Sequence, residues 1–278
     1  MSDTTWGKIK DTPLNATEAF LNPSILNQYP PFDELLAALG QRLDSYQRYP
    51  TEWFIGKSIL DVGCGLGEDL FELNAIGHNQ NTIYGLDLNP DLVSRSKALL
   101  EHFGLTATLQ VAEADALPFA PNSIDIVTCK RVLQHLSSPT KTVAGFFNIC
   151  KPNGHIFLCE PDRGSLIIHS HQKETTRKII YYLEDVVATP WAGRALLSWL
   201  QHPQALHIDL DTSSLSHLSW TDANRNFGFD LALPQMVQKG ILTIDEARSW
   251  QDEQLNLTKQ GAFYCMSSMI RAHALLRS

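Results

Sequence analysis

The chain has 278 residues and a net charge of -8 at pH 7, with 22 lysines and arginines against 30 aspartates and glutamates. Hydrophobic residues make up 44% and charged residues 19%, which is typical of a folded globular protein and excludes a largely disordered chain. Binding to a nucleic-acid backbone requires a basic face, so this acidic balance argues against nucleic acid as the main partner.

The five cysteines indicate free, mostly buried thiols in a reducing compartment. Their number is odd and they form no CxxC pair, so neither a disulfide framework nor a zinc site is expected. We expect no metal. The N-terminal residues MSDTTWGKIKDTPLN contain no apolar signal segment, and no apolar run approaches ~18 residues. These features predict a cytoplasmic protein without a membrane span.

Helical and strand periodicities alternate through the first two thirds of the chain. An amphipathic helix is predicted over 32–43, where five apolar residues recur at helical spacing. Asn89-Pro90-Asp91 predicts the start of a helix that stops at Gly104, and a further helix is predicted over 139–150. Such alternation predicts a parallel sheet covered by helices on both faces. The predicted strands are 58–62, 82–86, 108–112, 124–129 and 155–160.

The alternation ends after Pro161. Beyond it the pattern predicts helices over 173–188 and 193–201 and a short strand over 206–210. Thr243 and Glu246 form a capping-box pattern, so we predict a helix from there to near Gly261. A closing strand is predicted over 262–270.

A glycine-rich turn, Asp61-Val62-Gly63-Cys64-Gly65-Leu66-Gly67, follows the first strand and precedes a helix. Glycine lets a ligand approach the backbone closely, and the helix N-terminus offers N–H groups. A dinucleotide site would place a further glycine at position 68, where Glu68 stands beside Asp69. These carboxylates would repel a pyrophosphate but tolerate a cationic, phosphate-free ligand. A plain turn is the alternative interpretation.

Two further acids follow neighbouring strands. Asp87 ends the second strand, where a carboxylate accepts hydrogen bonds from both hydroxyls of a ribose. Its alternative role, capping a helix, is already filled by Asn89. Asp115 follows the third strand and is placed to accept from an exocyclic amine, with Ala116 and Leu117 as apolar walls. With the turn, these residues complete a set for an adenosine-like ligand.

Five motifs follow one another along the chain: ILDVGCGLG (59–67), YGLDLNP (84–90), EADALPF (113–119), SIDIVTCKRVLQHLSSP (123–139) and KPNGHIFLCEPD (151–162). Together they resemble the class I S-adenosylmethionine-dependent methyltransferases, and most closely the small-molecule branch with quinone and natural-product enzymes.

The resemblance implies an α/β fold with a Rossmann-like, seven-stranded, mostly parallel sheet, helices on both faces and helical lid segments. It further implies one methyltransferase domain over 1–278. Within it, 1–56 would form an N-terminal helical cap, 57–162 the cofactor-binding core, 163–204 a helical lid insertion and 205–278 the part that completes the sheet.

The resemblance also implies roles for residues of the turn and of the second strand. Gly63 and Gly65 would pack under the methionine part of S-adenosylmethionine, with Cys64 between them. Asp61 would orient the amino group of the cofactor, and Asp87 would bind the ribose hydroxyls.

The remaining implied cofactor contacts lie further along the chain. Leu88 would lie against the adenine, and Asp115 and Ala116 would meet its edge. Lys130 and Arg131 would line the methionine end near the transferable methyl group. Relatives often carry neutral or aromatic residues at this last position, so the Lys-Arg pair hints at a substrate with a carboxylate or other acidic group. The alternative is that Lys130 points to solvent.

Two residues are candidates for catalysis. His135 follows the fourth strand and would act as a general base for a hydroxyl nucleophile; its alternative role is to hydrogen-bond the strand-end backbone. Glu160, and Asp162 after it, lie at the end of the fifth strand, at the edge where ligands bind. The alternative is that Glu160 and Asp162 cap a turn or a helix. His169 and His171 are expected at the surface.

The predicted function is methyl transfer to a small organic acceptor by in-line displacement, with S-adenosylhomocysteine as product. Oxygen is the favoured acceptor atom, and nitrogen or carbon stays open. One alternative is a protein that binds the cofactor without transfer, as a cyclase or regulator; another is a tRNA or protein methyltransferase. The sequence does not indicate the oligomeric state.

Overall fold

A computed structural model describes Tyr46 and residues 48–278. The helix predicted over 32–43 lies outside the described residues. The described part contains seven strands and eight α-helices, with short 3-10 turns at Thr51–Trp53 and Leu133–His135.

The strands form one seven-stranded, mixed, mostly parallel sheet, as predicted. Their order across the sheet is β3-β2-β1-β4-β5-β7-β6. Strands β3, β2, β1, β4 and β5 pair in parallel with their neighbours. The carboxyl ends of these strands therefore meet at one edge, where the motifs lie. The strands are β1 Ser58–Val62, β2 Thr82–Asp87, β3 Thr108–Val111, β4 Ile124–Lys130, β5 Cys150–Ile168, β6 Ala205–His217 and β7 Cys265–Leu276.

Consecutive residues of the central strands are buried on opposite faces of the sheet. Ile59 packs with Tyr46, Phe54 and Phe157 in one cluster. Its neighbour Leu60 belongs to a different cluster on the other face. Because strand side chains alternate, burial of both sets requires cover on both faces, which explains why these strands are continuous apolar runs.

Two helices begin at the capping residues that the sequence predicts. Asn89 caps α2 by accepting hydrogen bonds from the backbone of Asp91 and Leu92. Thr243 and Glu246 form the predicted capping box at the start of α8. The helices are α1 Glu68–Ile76, α2 Pro90–His102, α3 Pro139–Ile149, α4 Lys173–Asp185, α5 Ala192–Leu200, α6 Trp220–Phe227, α7 Phe229–Gln238 and α8 Ile244–Lys259.

The described residues fall into two compact units. The first, here called the helical unit, comprises 161–193 and 212–269; the second, the glycine-turn unit, comprises Tyr46, 48–160, 194–211 and 270–278. The helical unit has its own core around Trp250, whose indole N–H donates to Thr176 Oγ1 at 2.9 Å. The single domain with four segments stays a prediction.

Strand β5 is longer than the predicted 155–160. It begins at Cys150, and the predicted turn Lys151–Gly154 is a bulge within it, since the pairing with β4 jumps from Cys150 to His155. Asn153 takes a left-handed backbone with φ 60° that allows the bulge. β5 also continues past Pro161 to Ile168, through residues expected to begin the lid.

Helices α6 and α7 were not predicted. Ser219 caps α6 and accepts from the backbone of Asp222, a local signal that was available in the sequence. Pro234 lies inside α7 and obscures its helical pattern. Strand β6 extends to His217 rather than stopping at Leu210, and β7 ends at Leu276 rather than at Ile270.

Among the residues that the structure describes, no helix combines the length and apolar character needed to cross a membrane.

Candidate functional site

The glycine-rich turn joins β1 to α1 and is tied to β2. The N–H groups of Gly63 and Cys64 both donate to the carbonyl of Leu86, at 2.7 and 2.8 Å. Gly63, Gly65 and Gly67 have φ values of 76°, 53° and 85°. Residues with a Cβ adopt this left-handed region only at a cost, so the turn requires its three glycines.

The two central glycines face different surroundings. A Cβ on Gly63 would lie 2.1 Å from Cγ2 of Val132, so the loop after β4 closes against the turn there. A Cβ on Gly65 would have no heavy atom of the described residues within 4 Å. The turn is therefore closed beside Gly63 and open beside Gly65, which is the arrangement that a ligand lying against the turn requires.

Asp87 links the end of β2 to this turn. One carboxylate oxygen accepts from the N–H of Gly65 at 2.9 Å, and the other accepts from the N–H of Asn89 at 2.8 Å. The side chain is buried, and burial raises the pKa of Asp87 although these hydrogen bonds favour its ionised form. Asp87 thus holds the turn in place, and each oxygen keeps a second lone pair for a ligand hydroxyl.

Asp61, at the end of β1, is a buried carboxyl beside other acids. Burial and the nearby Asp69 raise the pKa of Asp61 to about 8. The hydroxyl of Thr128, its partner across the β1–β4 pair, donates to it at 2.8 Å. The site holds Asp61 largely protonated at neutral pH, and a ligand cation would favour its ionised form.

Lys130, at the end of β4, pairs with Asp69 in the first turn of α1, with Nζ 2.9 Å from Oδ1. Burial acts to lower the pKa of Lys130, but the contact with Asp69 outweighs it and the pKa is raised. Lys130 therefore stays charged at this edge of the sheet and turns toward α1.

Arg131 has a left-handed backbone with φ 61°, at the sharp turn that follows β4. Its N–H donates to the carbonyl of Cys159 at 2.8 Å. An arginine in this region is uncommon, and such strain persists only when the surroundings fix it.

Glu160 supplies the hydrogen bonds that fix this turn. Its Oε1 accepts from the N–H groups of Val132 and Leu133 at 2.8 and 2.7 Å. The side chain is fully buried, and Oε2 has no hydrogen-bond partner among the described residues. Burial raises the pKa of Glu160 to about 7. The backbone that follows β4 is thus hydrogen-bonded by Glu160, and the two roles predicted for His135 stay predictions.

His135 ends the 3-10 turn after β4 and is exposed. Asp162 belongs to the helical unit, where its carboxylate accepts from the N–H of Gly164 at 3.1 Å, so it caps a local turn. His169 and His171 are exposed in the same unit, as expected, and the ring of His171 lies 2.9 Å from Glu253.

The residues expected at the adenine lie on exposed segments after β2 and β3. Leu88 is 45% exposed, which suits an apolar side chain that a ligand covers. Asp115 pairs with Lys141 of α3 at 3.1 Å, and the N–H of Ala116 donates to Glu113. Asp87 is hydrogen-bonded to the glycine turn, whereas Asp115 and Ala116 form their contacts with Lys141 and Glu113.

Thr128 and Val132 contribute to the site but were missed by sequence reasoning. Thr128 places a hydroxyl within the apolar stretch 126–129, which was an available signal, and the sheet pairs it with Asp61. The contact of Val132 with Gly63 has no local sequence signal, because it depends on how two distant loops pack.

Comparison with known proteins adds three findings. A family model described as a methyltransferase domain matches residues 55–205, more than half of the chain. A ubiquinone biosynthesis O-methyltransferase from Photobacterium profundum is 38% identical over 110 residues, covering 40% of this chain and 46% of that protein. A 37.1 kDa protein of a Streptomyces fradiae transposon is 28% identical over 174 residues, covering 62% of this chain and 49% of the relative. The chain thus spans about half the length of these curated relatives.

Among solved structures, the YcgJ protein from Bacillus subtilis superposes with a TM-score of 0.57 at 15% identity. The match covers 87% of this chain and 99% of that one. At this identity the likeness concerns the fold alone.

Proposed function

The chain belongs to the methyltransferase domain family, and from this membership we propose that it transfers a methyl group from S-adenosylmethionine to a small organic acceptor. The observation that carries the proposal is the glycine turn, which is open beside Gly65 and flanked by the acids Asp61, Asp69 and Asp87. Those acids suit a ligand that carries cationic groups and no phosphate.

The residues present fit this cofactor. Asp61 and Asp69 would face its ammonium group, Asp87 its ribose hydroxyls and Leu88 its adenine. When bound, the cofactor supplies a methyl group on a sulfonium centre, whose sulfur leaves readily as a neutral thioether. The protein then chiefly has to hold donor and acceptor in line and exclude water.

Oxygen is the favoured acceptor atom, because several of the matched relatives are ubiquinone biosynthesis O-methyltransferases. A hydroxyl acceptor must lose a proton, and His135, exposed at the edge where β4 ends, stays the proposed base. Glu160 is buried under the turn that precedes His135, so it is assigned to positioning rather than to proton transfer. The same proposal holds that the protein acts on a small molecule in the cytoplasm and has no nucleic-acid partner.

The test is a titration calorimetry experiment with S-adenosylhomocysteine, followed by incubation with methyl-labelled S-adenosylmethionine and a fractionated cell extract. We expect micromolar binding and label in the small-molecule fraction. Label in RNA or protein would instead indicate a tRNA or protein methyltransferase. Binding without any labelled product would favour a protein that binds the cofactor without methyl transfer. No binding by folded wild-type protein would overturn the proposal.

A further inference from the structure

Tyr46 is the first residue that the structure describes, and its side chain is buried in the glycine-turn unit. Its ring contacts Phe54 and Phe157 edge to face, with centroids 5.9 and 5.7 Å apart. Its backbone N–H donates to Oε1 of Glu72 in α1 at 2.9 Å. The ring and the backbone are therefore both held, so the phenol has a defined place.

Two hydrogen bonds in series lead from this phenol to Asp61. The phenol of Tyr46 is hydrogen-bonded to the hydroxyl of Thr128. That hydroxyl donates to Oδ1 of Asp61 at 2.8 Å. A threonine hydroxyl has one proton, and Thr128 gives it to Asp61, so its oxygen accepts from Tyr46. Thr128 and Asp61 are buried as well, which keeps water from competing for these hydrogen bonds.

Tyr46 keeps its proton at neutral pH and is therefore a permanent donor. Burial raises the pKa of Tyr46 well above its ordinary value, and Asp69, Asp61 and Glu72 raise it further. A hydroxyl whose oxygen accepts a hydrogen bond becomes a stronger donor itself, so Tyr46 strengthens the bond from Thr128 to Asp61. The phenol thus favours the ionised form of Asp61, which burial and Asp69 disfavour.

Several titratable groups on the surrounding elements bear on Asp61. They are Asp69 of α1, Asp87 of β2, Lys130 and Cys129 of β4, and Cys64 of the glycine turn. The two acids oppose ionisation of Asp61 and Lys130, paired with Asp69, favours it. Burial raises the pKa of both thiols, so they stay uncharged. Tyr46 differs from the charged groups because it acts through a hydrogen bond and adds no charge.

We infer that Tyr46 is a positioning residue for the ammonium group of the cofactor, acting through Thr128 and Asp61. The phenol holds the Thr128 hydroxyl toward Asp61, and this fixes the carboxylate that the proposed function places opposite the ammonium group. The inference rests on that proposed function. It gives a role in ligand binding to a residue outside the glycine turn and outside the motifs at the strand ends.

The experiment compares two ligands that differ in their amino-acid part. S-adenosylhomocysteine carries the ammonium group, whereas 5′-methylthioadenosine is an adenosine thioether without it. Both are measured by calorimetry, directly or by displacement, on the full-length wild type and Tyr46→Phe at neutral pH. Tyr46→Phe should weaken S-adenosylhomocysteine binding by about fivefold, as expected for one hydrogen bond, and 5′-methylthioadenosine binding by less than about twofold. Equal effects on the two ligands, or no effect on either, overturn the inference.

Tyr49→Phe is the matched control. The ring of Tyr49 also packs edge to face on Phe157, with centroids 4.8 Å apart, but the acids near its phenol are Asp209 and Asp211. Loss of this hydroxyl should change the affinity for S-adenosylhomocysteine by less than about twofold. A loss as large as that of Tyr46→Phe would show that the effect is not particular to the phenol beside Thr128, and it would overturn the inference.

Thr128→Val tests whether Tyr46 acts through Thr128, because it removes the hydroxyl and nearly keeps the shape. In the Thr128→Val background, Tyr46→Phe should change the affinity for S-adenosylhomocysteine by less than about twofold, since the path to Asp61 is already broken. Full additivity of the two substitutions overturns the inference. If Tyr46→Phe fails to fold, Thr128→Val is compared with Thr128→Ser, which keeps the hydroxyl, and equal affinity of these two variants overturns it.

Binding of S-adenosylhomocysteine by the wild type separates this inference from the proposed function. If the folded wild type does not bind it, the proposed function fails and the role of Tyr46 fails with it. If the wild type binds it and Tyr46→Phe has no effect, or the same effect on both ligands, the role of Tyr46 alone is overturned.

Discussion

The side chain of Val132 occupies the space directly beside the α-carbon of Gly63. A Cβ at position 63 would approach Cγ2 of Val132 to 2.1 Å, a distance that real Cβ atoms do not reach. The loop after β4 and the turn after β1 are therefore packed against each other with no room for a methyl group. This contact makes the shape of the proposed cofactor site depend on both loops at once.

Gly63→Ala and Gly65→Ala should separate folding from binding. Gly63→Ala combines the clash with a left-handed backbone and should lower the free energy of unfolding by about 3 kcal/mol or more. Gly65→Ala meets no clash among the residues that the structure describes, so it should lose only about 1–2 kcal/mol but weaken S-adenosylhomocysteine binding by at least about tenfold. Urea unfolding and calorimetric titration measure the two effects. Equal binding by Gly65→Ala and the wild type would contradict a ligand beside Gly65.

Glu160→Gln should stabilise the protein at high pH. The pKa of Glu160 is raised from 4.5 to about 7 by burial, so the folded state keeps the proton that the unfolded state releases. The shifted pKa of Glu160 contributes at most ~3 kcal/mol to the free energy of unfolding of the wild type. This contribution is fully present below pH 4.5 and is lost as the pH rises through about 7. Glutamine stays neutral and keeps an oxygen for Val132 and Leu133.

The measurement for Glu160 is urea unfolding of the wild type and Glu160→Gln between pH 4.5 and 8.5. Their difference should grow in favour of the variant as the pH rises. Glu160→Ala is the control, because it removes the acceptor as well and should be less stable than Glu160→Gln at every pH. A difference independent of pH would mean that Glu160 is ionised in the folded protein.

Asp61→Asn should remove a pH dependence from cofactor binding. The pKa of Asp61 is raised to about 8 by burial and by Asp69, and a ligand ammonium group pairs with the ionised form. The affinity of the wild type for S-adenosylhomocysteine should therefore rise with pH up to about 8, by at most about tenfold per unit. Calorimetry from pH 6.5 to 8.5 measures this slope, and an identical slope in Asp61→Asn would exclude Asp61 as its source.

His155 should make the protein sensitive to acid. Burial, with a contribution from His273, lowers the pKa of His155 from 6.5 to about 4. The ring stacks on Trp53 and its Nδ1 lies 2.9 Å from Nε2 of His273. As the pH falls below 6.5 the unfolded state takes up the proton first, so stability falls until the pH reaches about 4. His155→Gln cannot take up this proton, so the difference between its melting temperature and that of the wild type should shrink from pH 7 to pH 4. A difference that stays constant over this range would contradict a neutral buried ring.

Thr243→Ala should destabilise the helical unit by about 1 kcal/mol, through loss of the N-cap of α8. The hydroxyl of Thr243 accepts from the N–H of Glu246 at 3.1 Å, and the Glu246 carboxylate accepts from the N–H of Thr243 at 2.7 Å. Thr243→Ser keeps both hydrogen bonds and should stay close to the wild type in chemical denaturation. Similar losses in both variants would show that packing of the threonine methyl group dominates.

Local signals sufficed for the parallel half of the sheet. The strand predicted over 58–62 matches β1 residue for residue, and Asn89 caps α2 as its position before proline indicates. These features depend on hydrogen bonds within a few residues and on strands buried on both faces. The extent of β5 was underestimated because Lys151-Pro152-Asn153-Gly154 carries turn residues, which here form a bulge within a continuing strand.

Contacts between distant segments account for what the sequence did not show at the site. The acidic residue at position 160 was recognised, but its hydrogen bonds to the backbone of Val132 and Leu133 depend on how β4 and β5 pair. Similarly, no short pattern indicates that Arg48 and Arg271 share Asp211, because these residues come from three separate parts of the chain.

The buried thiol of Cys64 gives the glycine turn a chemical reporter. Cys64 is enclosed beside Gly85, and burial raises its pKa well above that of an ordinary thiol. Alkylating reagents attack thiolates, so labelling of Cys64 requires the turn to open first. Its labelling rate, followed by peptide mass spectrometry, would therefore record the opening of the turn, and a ligand that holds the turn closed would slow it even when the acceptor is unknown.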